Sequence, residues 1–418
     1  MNDVSRLKNI LRPGDHILWG QGTAEPTLLT EALVAQRHIL GPLSVFVGVS
    51  LTDTLMPEHA DTLKVTSYGA LGTTRRLAAA GVLEILPHHV SKLGSAVERG
   101  HIGCDVAMVQ LSLPGPNGRP SLGPINDYMR AALRRARAVI VQVNEQLPWT
   151  FGPELPPLEH VALTIETSRP PVAVPCITPS AAERAIAAHA SAIIPDGATL
   201  QVGIGGTIDA LLQCLSDRRD LGIHSGTIGD GMLDLIENGV VTNARKPIDR
   251  GVSITASLFG GERLMRAANR NPAFEVHPYE YTHSAGVLAR IPNLVAVNSA
   301  LEVDLTGQVN AEVADGRYIG AIGGQVDFMH AATRAPDGCS IIAIPSTAAA
   351  GKVSRIRTSV ETVTCARSEV DFVVTEQGVA DLRCQPLRER MRRMLAIAHP
   401  DFQETLEREA HGQLARGY

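Results

Sequence analysis

A glycine-dense run with polar neighbours, residues 297–328, has the clearest potential for chemistry in this sequence. Gly320, Gly323 and Gly324 lie close together, directly before Gln325. Because glycine has no Cβ, such a run lets backbone N–H groups approach a ligand closely, which suits an anion or a thioester carbonyl. The same spacing is common in tight turns between strands, and a turn is the simpler interpretation of this run alone.

Polar residues in and after this run are candidates for the same site. Asp304, Gln308 and Asn310 alternate along what we predict to be an extended segment, which would place them on one face. That face could line a pocket or meet solvent. Lys352 and Arg355 could bind phosphates as a point charge and a fork of donors, or they could be ordinary basic residues of a surface loop.

Three further motifs carry groups that can transfer protons or bind metals. His224 and Ser225 are neighbours on a predicted strand and therefore point to opposite faces, which disfavours a serine nucleophile. His224 could be a general base for water or a hydrogen-bonded structural histidine. Glu25 follows a GxG loop, where a carboxylate could cap the next helix or act in catalysis. The adjacent His88 and His89 cannot reach one metal ion from a regular strand.

Length and composition limit the class of protein. The 418 residues predict two or three domains, and the net charge of −5, without a basic run, gives no reason to expect nucleic-acid binding. The six cysteines have no CxxC or other metal-ligand spacing, which favours reduced thiols. The N-terminus lacks a signal pattern, and no apolar segment approaches the ~20 residues of a membrane span. We therefore expect a cytoplasmic protein that does not bind membranes.

A long internal repeat indicates how these residues are positioned. A turn, a strand, a GxG loop and a helix recur at an offset of 183 residues, which superimposes Gly14 on Gly197, Gly20 on Gly203 and Gly22 on Gly205. This period is too long for a solenoid and predicts two similar domains. Because residues 168–175 are rich in proline, we predict a linker there, between domains at residues 1–170 and 176–418.

Short apolar runs predict strands that are buried on both faces, as in parallel sheets between helix layers. Helical periodicity separates these runs, so the predicted fold class is α/β, with two similar domains and largely parallel sheets. The predicted strands are residues 16–19, 105–111, 138–143, 198–202, 252–255, 294–297, 341–344 and 372–374. The predicted helices include residues 28–33, 211–215, 232–238 and 387–397, with Gly239 as a C-terminal cap.

Ordered motifs along nearly the whole chain carry a family resemblance. They are LPHHVS (86–91), VNEQLP (143–148), GIH (222–224) with DG (230–231), NS (298–299) with DLTGQV (304–309), GGQVDF (323–328), IPST (344–347), GKVSRI (351–356) and VTE (374–376). With these motifs the sequence resembles the acetyl-CoA hydrolase/transferase group of the class I CoA-transferases, which includes enzymes acting on 4-hydroxybutyrate and butyrate.

The resemblance implies an activity on acyl-CoA. In that family a glutamate attacks the thioester, forms an acyl–glutamyl anhydride and then becomes a glutamyl–CoA thioester, which the acceptor carboxylate opens. The substrates would be an acyl-CoA and a small carboxylic acid, with coenzyme A as the carried group and no metal. A cleft between the domains would hold the site, and a homo-oligomer is expected.

The resemblance also assigns roles to residues at matching positions. The turn of Gly323 and Gly324 would supply backbone donors to the developing oxyanion. Gln325, Lys352 and Arg355 would contact CoA. The substrate pocket would include Gln308 and Asn298.

One position departs from the family pattern. The nucleophilic glutamate should follow the His-Ser pair, but Gly226 is there, and glycine has no side chain to form an anhydride. Another carboxylate could have taken over, with Glu302 and Glu25 as the nearest by motif. Alternatively, the vacant space could admit water or a bulkier acceptor, with His224 as a base, so that the protein hydrolyses acyl-CoA or transfers the acyl group directly. A third alternative is binding of acyl-CoA without turnover.

Overall fold

The computed structural model describes residues 3–175 and 177–415, and its first large sheet lies in the first half of the chain. The strands of this sheet are β1 (His16–Trp19), β2 (Leu43–Phe46), β3 (Leu63–Ser67), β4 (Leu83–Ile85), β5 (Val106–Ser112), β6 (Ala138–Asn144) and β7 (Val161–Thr167). All are parallel, in the order β4-β3-β2-β1-β5-β6-β7. The α-helices of this half are α1 (Leu7–Ile10), α2 (Thr27–Leu40), α3 (Thr74–Ala79), α4 (Leu93–Glu98) and α5 (Met129–Arg135). Short 3-10 helices span Val4–Arg6, Gly22–Ala24, Pro57–Asp61 and Val90–Lys92.

The second half contains a sheet of the same plan with one additional strand. Its strands and the short strands around it are β8 (Thr199–Val202), β9 (Gly222–Ile228), β10 (Ser253–Leu258), β11 (Phe274–Val276), β12 (Leu294–Asn298), β13 (Glu302–Asp304), β14 (Val309–Asn310), β15 (Val313–Ala314), β16 (Arg317–Tyr318), β17 (Cys339–Ala343), β18 (Thr347–Ala348), β19 (Val353–Ser354), β20 (Ile356–Arg357), β21 (Phe372–Thr375) and β22 (Gly378–Asp381). The large sheet has the order β11-β10-β9-β8-β12-β17-β21-β22, and in it only β22 is antiparallel to its neighbour.

Helices alternate along the chain with the strands of this second sheet, as they do in the first half. They are α6 (Ala181–Ser191), α7 (Gly206–Cys214), α8 (Asp230–Glu237), α9 (Glu262–Ala268), α10 (Tyr279–Thr282), α11 (Ala285–Leu288), α12 (Gln325–Ala332), α13 (Leu387–Ala396) and α14 (Pro400–Ala415), with a 3-10 helix at Arg367–Glu369. None of the described helices is long and apolar enough to cross a membrane.

The two large sheets confirm the predicted fold class, because each begins at a central strand, β1 or β8, and grows outward in the same order. Strands β5 and β12 are buried along their whole length, which is the reason their runs are continuously apolar rather than alternating. Gly14 and Gly197, the turn glycines of the predicted repeat, have φ of +90° and +78°. The domain boundary near residues 170–176 stays a prediction, and Cys176 lies outside the described residues.

Backbone hydrogen bonds join the glycine run of the second half to the first half. The N–H of Ala70 donates to the carbonyl of Gly320 at 2.9 Å, and the N–H of Val90 donates to the carbonyl of Gly323 at 3.0 Å. A buried side-chain bond lies nearby, in which Gln21 Nε2 is 2.9 Å from the Tyr279 hydroxyl. These bonds fix the glycine turn at the contact between the two halves.

The segment around Asp304 corrects one expectation. It is not extended but folds back as a hairpin, with β13 and β14 antiparallel and Gly307 at φ +97°. The Asp304 carboxylate accepts from the backbone N–H of Thr306 and of Gln308, which holds the turn. The predicted single face for Asp304, Gln308 and Asn310 is therefore wrong, because a turn residue with positive φ interrupts the alternation of side chains along the strand.

Candidate active site

Gly226 and the glycine turn meet around a histidine that sequence analysis did not single out. A Cβ added to Gly226, on β9, would lie 2.9 Å from His283 Nε2, and one added to Gly324 would lie 2.3 Å from the same atom. The next nearest group to that position at Gly226 is the ring of Phe328, at 3.7 Å. The structure thus brings Gly226, Gly324 and His283 together at the contact between the halves.

His283 is held firmly by its neighbours. Its side chain is buried, with 4% of the residue exposed, and Nδ1 lies 2.7 Å from the Thr282 hydroxyl. The ring makes edge contacts with Phe328 and Tyr279, at centroid distances of 4.6 and 5.0 Å. Burial, with a smaller effect of the nearby His224, lowers the pKa of His283 to about 3, so the imidazole is neutral at pH 7.

His224 is a second buried, neutral histidine, and it lies near His283. Its Nε2 is 3.1 Å from the carbonyl oxygen of Thr282, so this geometry assigns the ring proton to Nε2. Burial, and secondarily Lys246, lower the pKa of His224 to about 4. Ser225 points the other way and donates to the carbonyl of Val202 at 3.2 Å. The predicted opposite orientation of the two side chains is confirmed.

Glu25 lies in the first GxG region and is enclosed there. Its carboxylate accepts from the hydroxyls of Thr30 and Thr52, at 3.0 and 2.9 Å. In the first turn of α2 the N–H of Leu28 donates to Gln142 Oε1 at 3.0 Å, whereas the Glu25 carboxylate bonds to hydroxyl groups, so Glu25 does not act as the hydrogen-bonding cap of this helix. Burial raises the pKa of the Glu25 carboxyl, while these hydroxyl bonds act in the opposite direction.

Glu302 and Lys352 share a separate groove of about 530 Å³. Arg357 Nε lies 2.8 Å from Glu302 Oε1, so the carboxylate is ion-paired. Arg355 is committed elsewhere, because it donates to the backbone carbonyls of Thr347 and Ala300 at 3.2 and 3.0 Å. The structure therefore gives Glu302 and Arg355 clear local partners, while Lys352 lines an open groove.

The remaining predicted residues are three amides with mostly local partners. Asn298, at the end of β12, exchanges hydrogen bonds with Gln201 at the end of the neighbouring strand β8. Gln308 Nε2 donates to Asp304 at 2.8 Å. Gln325 begins α12, where its side chain is 3.5 Å from the sulfur of Met329. These contacts neither support nor oppose ligand binding, so the proposed ligand-binding roles of the three amides stay predictions.

A cavity of about 660 Å³ beside His283 is lined by residues of both halves of the chain. Its lining includes His89, Lys92 and Arg99 from the first half, and His283 and Asp327 from the second. Lys92 and Arg99 could meet an anionic ligand there. Among the described residues, no group of three or more His, Cys, Asp or Glu side chains could hold a metal ion.

Comparison with known proteins places the chain in a family. The N-terminal domain model of acetyl-CoA hydrolase/transferase matches residues 1–174, and the C-terminal domain model matches residues 260–410. The chain belongs to the acetyl-CoA hydrolase/transferase family. This confirms the resemblance of the ordered motifs.

Similar proteins in this family match nearly end to end. The 4-hydroxybutyrate coenzyme A transferase of Clostridium kluyveri is 35% identical, over 97% of this chain and 95% of its own. The succinyl-CoA:cyclohexane-1-carboxylate CoA transferase of Geobacter metallireducens is 33% identical, over 95% and 92%. The solved 4-hydroxybutyrate CoA-transferase of Porphyromonas gingivalis superimposes with a TM-score of 0.85 at 33% identity, over 99% and 97% of the two chains.

Sequence reasoning missed His283, although a weak signal was present. Residues 277–283 read HPYEYTH, which is dense in histidine and tyrosine for a chain with only 4% aromatic residues. No spacing rule connects that run to Gly226 or to the glycine turn. Packing of α10 against β9, with the turn before α12 beside them, brings these residues together.

Proposed function

We propose that this protein acts on acyl-CoA thioesters and moves CoA between short carboxylic acids. The observation that carries this proposal is the near end-to-end similarity to named CoA-transferases. A glycine turn held at the contact between the two halves supports it, because backbone N–H groups there can stabilise the oxyanion that forms when a thioester is attacked. The acyl-CoA and a small carboxylic acid are the proposed substrates.

We further propose that Gly226 occupies the place of the family's nucleophilic glutamate. Glycine cannot form an acyl anhydride, so transfer here would not pass through a glutamyl–CoA thioester at this position. The neighbours of Gly226 support this proposal: they are the ring of His283 and the side chain of Phe328, and neither is a carboxylate. Glu25 and Glu302 are held by hydroxyl groups and by an arginine respectively, which does not favour either as the replacement.

Hydrolysis of acyl-CoA is the second candidate function. One observation favours it: an imidazole, and not a carboxylate, lies against Gly226. An imidazole can take a proton from water, whereas a carboxylate acceptor carries no proton that must be removed before it attacks.

Contacts with CoA are proposed for the basic and polar residues of the second half. Lys352 is the stronger candidate for a CoA phosphate because it lines an open groove, whereas Arg355 is bonded to backbone carbonyls. Gln325 begins α12 directly after the turn and is a candidate for the thioester end. Asn298 and Gln308 remain candidates for the carboxylate pocket. A homo-oligomer in the cytoplasm is also part of the proposal.

One product analysis tests these functions together. Purified protein is incubated with a panel of acyl-CoAs, with and without acetate or succinate, and thiol release and acyl-CoA products are followed by chromatography. New acyl-CoA that requires the acceptor would support transfer. Thiol release that is independent of the acceptor would support hydrolysis. Silence across the panel, with CoA binding retained, would favour the alternative that the protein binds without turnover.

A further inference from the structure

We propose that His283 is the general base of acyl-CoA hydrolysis in this protein. In this role Nε2 takes a proton from the water that attacks a thioester carbonyl at the turn of Gly323 and Gly324. The inference rests on the second candidate function above, and it adds a residue that neither the motifs nor the family resemblance assigns.

The first argument is the position of the ring. Nε2 faces both Gly226 and Gly324, at distances that leave no room for a Cβ on either residue. Neither glycine needs its type for backbone reasons, since Gly324 has φ −104° and Gly226 is not among the glycines with positive φ. The space they leave is instead used by the imidazole. Two conformationally ordinary glycines therefore make the pocket for one histidine nitrogen.

The second argument is the assignment of the ring proton. The Thr282 hydroxyl lies 3.4 Å from the carbonyl of Pro278 and 2.7 Å from His283 Nδ1. If the hydroxyl donates to that carbonyl, it accepts from Nδ1–H, which leaves the lone pair on Nε2. The ring hydrogen bond found among the described residues is the one on Nδ1, and His283 lines the cavity of about 660 Å³. Nε2 is therefore open to a water molecule.

The third argument separates a base from a nucleophile. A nucleophile must reach bonding distance of the carbonyl carbon, whereas a base acts on a water at hydrogen-bonding distance. With 4% of the residue exposed, His283 has an opening suited to water rather than to an acyl group. The narrow access therefore favours proton transfer.

The proposed step balances without any further reactant. Water attacks the carbonyl carbon while its proton moves to Nε2, and the oxyanion of the tetrahedral intermediate is stabilised by the backbone N–H groups of the turn. The C–S bond then breaks, and the proton on Nε2 passes to the CoA thiolate. The products are the carboxylic acid and free CoA. Negative charge on the oxyanion favours the protonated imidazole, which offsets the effect of burial during the step.

The test compares His283→Gln and His283→Ala with the wild type in acceptor-independent thiol release. Removing a general base typically costs about 100-fold or more in rate, so we expect that loss in both variants with CoA binding unchanged. Added imidazole should partly restore the alanine variant, since loss of the ring joins the vacated space to the cavity of about 660 Å³ that His283 lines. His38→Gln is the matched control, because His38 is an exposed histidine of the first half that pairs with Asp61.

Several outcomes would overturn the proposal. Thiol release within a few-fold of the wild type in His283→Gln would do so, as would a loss that imidazole does not restore. If both variants fail to fold, the wild type decides: a pH profile flat from about pH 8 to 5 and a slower rate in D₂O support the proposal, and a protonation step near the ordinary histidine pKa of about 6.5 contradicts it. A wild type without any turnover refutes the proposed function itself, which is a different result from turnover that does not need His283.

Discussion

Restoring a carboxylate at position 226 gives the sharpest prediction. In Gly226→Glu the new Cβ would lie 2.9 Å from His283 Nε2 and 3.0 Å from Cε1. The ring cannot move easily, because Phe328 and Tyr279 pack against it. Overpacking of this kind typically costs about 1–3 kcal/mol, which corresponds to a fall of roughly 2–12 °C in the melting temperature of a domain of this size. We expect the single variant to be less stable and to gain little transfer activity.

A second substitution should release the conflict. His283→Ala removes the ring, so in Gly226→Glu/His283→Ala the carboxylate has space beside the glycine turn. We expect acyl-CoA:carboxylate transfer at least about tenfold above either single variant, and a coupling energy between the two positions in the range of about 0.5–3 kcal/mol found for residues in contact. The assay is acceptor-dependent formation of new acyl-CoA, together with thermal unfolding of all four proteins.

Additive behaviour would refute this reasoning. If the two substitutions change stability and transfer independently, His283 and position 226 do not compete for the same space. If the single Gly226→Glu variant is as stable as the wild type and catalyses CoA transfer well, His283 and the side chain at position 226 likewise do not compete for space. Gly229→Glu is a control on the same chain segment, because a Cβ there would meet only the carbonyl oxygen of Phe259, at 3.4 Å.

Three further predictions follow from buried charges and occupied donors. Glu302→Gln should leave turnover largely intact in the product assay. It should lower the free energy of unfolding in urea by about 1–3 kcal/mol, because it weakens the pair with Arg357. A loss near a thousand-fold in kcat would instead make Glu302 catalytic. Lys352→Ala should raise KM for acyl-CoA without changing the melting temperature. Arg355→Ala should instead lower the melting temperature, because two backbone carbonyls lose their donor. A higher KM in Arg355→Ala and a lower melting temperature in Lys352→Ala would exchange the two roles. Burial raises the pKa of Asp127 to about 7, above the ordinary value of 3.8, so in the folded state Asp127 holds a proton that it has lost in the unfolded state. The contribution of Asp127 to the free energy of unfolding should therefore fall as pH rises from about 4 to 7. Asp127→Asn should flatten that fall in urea titrations across this range, and parallel curves for the two proteins would count against the assignment.

Much of the fold is readable from local patterns, for physical reasons. Parallel strands such as β5 and β6 are buried on both faces, so their sequences are continuous apolar runs that indicate both their extent and their environment. The recurring turn before each central strand is also visible in the sequence, because it needs positive φ at Gly14 and Gly197. These features depend on neighbours along the chain.

The site depends on contacts that local patterns do not encode. His283 reaches Gly226 and Gly324 only through packing between distant elements, and nothing in their spacing indicates that contact. The hairpin after Asp304 broke the alternation that predicted a shared face, because Gly307 turns the chain back. Basic residue type alone could not separate Arg355, bonded to carbonyls, from Lys352 beside an open groove.

The central claim is that the reacting centre carries no carboxylate nucleophile, and intact-protein mass spectrometry tests it most directly. Wild-type protein is mixed with an acyl-CoA that it turns over, without acceptor, and quenched in acid during turnover, with Gly226→Glu/His283→Ala as the comparison. We predict no covalent CoA on the wild type and a CoA adduct on the double variant. A CoA adduct on the wild type, mapped by peptide analysis to Glu25, Glu302 or another carboxylate, would contradict the claim and identify the replacement for the missing glutamate.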